Sequence, residues 1–251
     1  MRCLFALTVF SLACGSAMAN PGGCDVDIES DYDLALNERS VILTRDSGAP
    51  KAIVMRQGRL FVDGAWVTLG AADSRRIAAF EQGTRATMPE AQAVGRAAAD
   101  IAFTALGEVA AGFSSDPASS RAKLAKARVQ LDARLARSVT ANRFDGRDLG
   151  NGISQAVGAI LPSMLGDIVG GAISAAFSGD ATRLRRMENL DAQIEAKVEP
   201  RARALEQRAE GLCRRMIALD EIDNSLEYRH GGKPLDLLRV ETGNGPRNRR
   251  D

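Results

Sequence analysis

Short apolar runs broken by turn dipeptides occupy residues 24–69, and long stretches with helical spacing follow from Ala71 onward. Residues 40–44, 52–55, 60–62 and 66–69 are brief, β-branched and apolar, the pattern of strands. Gln57-Gly58 and Asp63-Gly64 separate the last three by short turns. A two-residue type I′ turn needs positive φ at both central positions, which Asp-Gly readily supplies. Turning at Asp63-Gly64 sets Phe61 opposite Trp66 and Leu60 opposite Val67. Turning at Gln57-Gly58 sets Val54 opposite Phe61 and Met55 opposite Leu60. The two turns agree: Val54, Phe61 and Trp66 share one face, and Met55, Leu60 and Val67 share the other. Both faces are apolar, and a meander of about 45 residues is marginal alone. Helices must therefore cover at least one face.

The helical part begins with Asp73 as a candidate N-cap, followed by Ile77, Phe80, Thr84 and Met88 at helical spacing. Pro89 is expected to break or restart this helix. An alanine-rich helix then runs to about Phe113, with Val94, Ile101, Ala105 and Val109 on one stripe. Asp116-Pro117 reads as an N-cap with proline at the first helical position. The next helix carries Leu124, Leu131, Leu135 and Val139 and ends near Asn142; residues 143–150 read as a turn. A last helix over 181–227 places Leu184, Met187, Leu190, Ile194, Val198, Leu205, Ala209, Leu212, Met216, Leu219 and Leu226 at three- and four-residue steps, a coiled-coil-like seam. Pro200 should kink or split it. After His230 the composition turns to Gly, Pro, Asn and Arg, which predicts disorder.

The predicted fold class is α+β: a small N-terminal antiparallel β-meander packed against an elongated helical bundle or hairpin. The expected divisions are a leader (1–19), the meander (20–70), a helical region (71–229) and a disordered tail (230–251).

The leader decides the compartment. Arg2, an apolar run and Ala17-Met18-Ala19 have the layout of a secretory signal peptide with its cleavage site. Cleavage leaves Asn20 at the mature start and two cysteines, Cys24 and Cys213. An exported chain with two thiols most simply joins them in a disulfide that staples the first strand to the last helix. A lipid-modified Cys14 is the alternative leader reading, although Ser11 stands where an aliphatic residue is expected.

Charge adds little. Thirty-three Lys and Arg face 32 Asp and Glu, so nothing global attracts nucleic acid. His230, the only histidine, cannot build a multi-histidine metal site. Asp145 and Asp148 suggest a carboxylate pair, but a turn accounts for both. No metal, cofactor or catalytic constellation emerges, and the enzyme reading comes third.

Residues 150–178 are the least ordinary stretch. They carry a single charge, Asp167, and include Gly166-x-x-x-Gly170. The expectation is a helix or helix pair buried by close packing at Gly166 and Gly170. The alternative is contact with a membrane surface, or self-association, with Gly166 and Gly170 as the candidate residues. The leading functional reading is a non-enzymatic periplasmic structural or interaction protein with an unknown protein partner. The alternative is an envelope-associated protein whose 150–178 segment binds membrane or drives oligomerisation.

Cys24-Asp25-Val26, the hairpin Gly58-Arg59-Leu60-Phe61-Val62-Asp63-Gly64, Met88-Pro89 and Leu212-Cys213-Arg214-Arg215 occur here in one order. In that order the chain resembles the YggN-like family of bacterial periplasmic proteins, a domain of unknown function, over about residues 24–228. The resemblance implies a periplasmic location and a paired-cysteine staple. It implies no activity, cofactor or catalytic residue.

Overall fold

The computed structural model describes Cys24, residues 26–178, Arg185 and residues 189–242. The leader, Cys14 and residues 243–251 lie outside them. Strands β1 (Val26–Glu29), β2 (Asp33–Leu36), β3 (Val41–Thr44), β4 (Ala52–Arg56), β5 (Arg59–Val62) and β6 (Ala65–Val67) precede helices α1 (Ala71–Phe113) and α2 (Pro117–Ser138). Strand β7 (Phe144–Asp145) leads into α3 (Gly146–Ser178). Helix α4 (Leu190–Asn224) is followed by β8 (Arg229–His230), β9 (Lys233–Pro234) and β10 (Arg239–Thr242). The class is α+β.

The main sheet is antiparallel in the order β6-β5-β4-β3-β2-β7. Its hairpins have the register the turns require: Phe61 faces Trp66, Leu60 faces Val67, Val54 faces Phe61 and Met55 faces Leu60. Gln57, Gly58, Asp63 and Gly64 all have positive φ, as type I′ turns demand. Met55 and Leu60 are fully buried with Val41 and Ile53 on the inner face, which α1 covers with Ile77 and Phe80. On the outer face Arg59 lies over the Trp66 ring at 4.0 Å, and Phe61 meets that ring edge-on. The sheet is thus covered by a helix on one side and by its own arginine and aromatics on the other.

Three expectations about helix ends and breaks are corrected. Pro89 does not break α1, which runs through it as one helix. Asp73 is not the N-cap, a position Gly70 takes; its carboxylate turns inward instead. Asp116 and Pro117 do cap α2, with Ser119 N donating to the Asp116 carboxylate at 3.0 Å. The turn expected at 143–150 is shorter, because α3 already begins at Gly146. Pro200 lies inside α4 without splitting it.

The disordered tail is corrected over 230–242. Gly231 and Gly232, both at positive φ, close the β8–β9 hairpin. Leu235, Leu237 and Leu238 are buried in the main core. Strand β10 then returns to pair with β1, Val26 opposite Thr242 and Glu29 opposite Arg239. The beginning and the end of the described chain form one small sheet.

Candidate interaction surface

Three devices fix the frame on which the surface sits. The first is the Cys24–Cys213 disulfide, with Cα atoms 6.2 Å apart, which ties the start of β1 to a buried position on α4. The second is Asp73. It accepts from Glu227 N at 3.1 Å, from Tyr228 N at 2.7 Å and from Arg76 at 2.8 Å. Burial works to raise its pKa, but these donors outweigh burial and hold the carboxyl below its ordinary value. The third is Asp223, which is buried. One carboxylate oxygen accepts from Leu237 N at 2.7 Å and Leu238 N at 3.2 Å, while the other has no hydrogen-bond partner. Burial dominates there and pushes Asp223 up to about 6, against the pull of the two backbone donors. Composition could not reveal either clamp, because the residues they hold are distant in sequence.

Helix α3 docks on the turn between α1 and α2. Ser115 N donates to Asp167 O at 3.4 Å, and Lys123 Nζ donates to the Asp167 carboxylate at 3.2 Å. Gly171 makes the tight approach: a Cβ there would sit 1.8 Å from Phe113 O and 2.6 Å from Ser115 N. Gly166 and Gly170 do not. Both are exposed, and beyond their chain neighbours and the backbone of their own helix no described residue lies within 4 Å of where their Cβ atoms would be. The expectation of close packing at Gly166 and Gly170 is therefore corrected, and the docking role passes to Gly171. At 100° per residue Gly171 projects well away from Gly166 and Gly170, and hydropathy cannot tell which glycine meets a neighbour.

This assignment separates the glycines experimentally. Gly171→Ala should lower stability by about 1–3 kcal/mol, since the obstructing atoms are backbone and cannot swing aside. Gly166→Ala and Gly170→Ala should leave it unchanged or raise it by up to about 1 kcal/mol each, as alanine is the better helix former. Urea unfolding of dilute protein measures both.

The outward face of α3 is apolar. Val169 is 56% exposed, Ile173 54% and Phe177 89%. With Pro162, Gly166 and Gly170 they occupy about a third of the helix circumference. The one charge in 150–178, Asp167, lies off this face and is neutralised by Lys123. Among the described residues no helix is long and apolar enough to cross a membrane, and no group of three His, Cys, Asp or Glu is placed to hold a metal. His230 sits in β8 with Nε2 3.8 Å from the Asp63 carboxylate. Asp145 pairs with Ala35 across β7 and β2.

The family described as "Protein of unknown function (DUF2884)" matches residues 24–238, and the chain belongs to it. The resemblance read from the cysteines and the hairpin is borne out at that level, as a domain of unknown function. The match includes residues 230–238, of which Leu235, Leu237 and Leu238 pack into the core. No curated protein and no solved structure matches the chain.

Proposed function

We propose that the protein is a non-enzymatic interaction protein of the periplasm that associates with a second copy of itself through the outer face of α3. The observation that carries this reading is the row Val169, Ile173 and Phe177, large apolar side chains exposed on one face of a docked helix. Contiguous exposed apolar surface marks contact sites. The same face supplies both projections and recesses, since Gly166 and Gly170 lie between the larger residues. A two-fold axis across it sets the projections of one copy into the recesses of the other, as an isologous contact requires. No ionisable side chain lies on the face, so like charges do not meet when copies approach. Cys24 and Cys213 support the location, because a disulfide persists in an oxidising compartment.

Sedimentation equilibrium over a concentration series tests the proposal. The wild-type chain should pass from monomer to dimer as concentration rises. Ile173→Glu should remain monomeric with an unchanged unfolding midpoint. Gly170→Ala should weaken association while leaving the monomer as stable or more so. A wild-type chain that stays monomeric at every concentration overturns the reading. If that monomer floats with lipid vesicles and Ile173→Glu does not, the face belongs to a membrane instead.

A further inference from the structure

A second candidate site lies on the seam between α1 and α4 and does not depend on α3. The two helices run antiparallel. Gly83 meets Leu219, Glu90 pairs with Arg215, Asp100 with Arg201 and Glu108 with Lys197, and Gly112 meets Leu190. In this register Ala97 stands opposite Ala204. At the two ends of the seam a leucine of α4 fills the space over a glycine of α1. In the middle Ala97 and Ala204 stand where such a pair would meet, and the seam opens into a notch of about 330 Å³ lined by Arg96, Ala97, Asp100, Arg201, Ala204 and Arg208.

The rim of this notch is unbalanced in charge. Three guanidiniums line it against one carboxylate. That carboxylate is already engaged on both oxygens: Asp100 Oδ2 accepts from Arg201 Nε at 3.0 Å, and Oδ1 is paired with Arg128 of α2. The guanidiniums of Arg96 and Arg208 have no hydrogen bond or ion pair with any described residue. Other arginines on α4 do have acidic partners: Arg203 pairs with Glu199, Arg214 with Glu210 and Arg215 with Glu90. Two unmatched guanidiniums therefore flank a notch large enough for a small ligand.

We infer that this notch binds a phosphate-bearing group, with Arg96 and Arg208 as its principal contacts and Arg201 as a third. A guanidinium presents parallel N–H donors that match two oxygens of a phosphate and stays charged at all working pH values. Asp100 fixes Arg201 at the rim, and Ala97 and Ala204 keep the floor clear. The group is carried either by a soluble phosphate ester or by a phospholipid headgroup, and the test distinguishes the two.

Isothermal titration calorimetry of the full mature chain with inorganic pyrophosphate is the first arm. Co-sedimentation with vesicles containing phosphatidylglycerol is the second. The Arg96→Gln/Arg208→Gln double variant should bind at least tenfold more weakly in whichever arm the wild type binds. Its unfolding midpoint should not move, because neither arginine has a partner to lose. Arg203→Gln, which removes a guanidinium paired on α4, should leave binding unchanged. Pyrophosphate binding identifies a soluble ester as the source, and vesicle binding alone identifies a headgroup. Binding in neither arm, or binding to which the double variant is indifferent, overturns the inference.

Discussion

Cys213→Ala is expected to lose up to about 5 kcal/mol, the largest single effect in the molecule. The disulfide spans a sequence separation of 189 residues, and the chain-entropy model puts a closed loop of that length near 5 kcal/mol. Strain and residual structure in the unfolded chain reduce that figure. For a domain of this size it corresponds to a fall of about 10–20 °C in the unfolding midpoint. The variant should still fold, because the main apolar cluster, built on the sheet, α1, α4 and residues 235–238, is complete without the buried Cys213. The check is calorimetry with and without reductant: reduced wild-type protein should melt where Cys213→Ala melts. A wild-type midpoint indifferent to reductant refutes the staple.

The second large effect is a pH dependence set by Asp223. Its carboxyl is raised from 3.8 to about 6 in the folded protein, chiefly by burial. A raised folded pKa means that the folded state holds the proton more tightly than the unfolded chain does. The stability it brings is complete below about pH 4 and is lost as pH rises to about 6, a change of about 3 kcal/mol. Asp73, with its lowered carboxyl, acts in the opposite sense: its contribution is present above the ordinary carboxylate value and disappears in acid. Asp223→Asn keeps an acceptor for Leu237 N and Leu238 N and removes the buried charge. It should flatten the pH 4–6 slope and exceed wild type in stability at pH 8. Asp223→Ala should instead destabilise by about 1–3 kcal/mol for each amide left unpaired. Urea unfolding at a series of pH values measures both, and parallel curves for wild type and Asp223→Asn contradict the assignment.

The hairpins were legible because their information is local. Two turn dipeptides fixed the pairing of Val54, Phe61 and Trp66, and no distant residue had to be known. The α2 cap was legible for the same reason. What composition concealed was tertiary. Residues 235–238 read as tail because Gly231, Gly232 and Pro234 precede them, yet Asp223 and the core recruit them. A Gly-Gly pair is also a hairpin turn, and only burial of the following leucines decides between the two readings. Asp73 read as a cap, but the chain after α4 supplies its backbone donors. Pro89 read as a break, but a proline costs a helix one hydrogen bond, and packing of Ile77, Phe80 and Met88 on the core outweighs it. In 150–178 the periodicity showed a helix with several small faces. Which face docks was set by the α1–α2 turn at Phe113 and Ser115.

The most direct test of the association surface is covalent capture of two copies across α3. Ile173→Cys and Val129→Cys each place a thiol at an exposed apolar position, the first on the proposed contact face and the second on α2. Purified protein of each kind is oxidised with copper phenanthroline at one concentration, and dimer is followed on non-reducing gels. The account predicts rapid, near-complete dimer for Ile173→Cys and slow, collision-limited dimer for Val129→Cys. Equal rates for the two variants would contradict it.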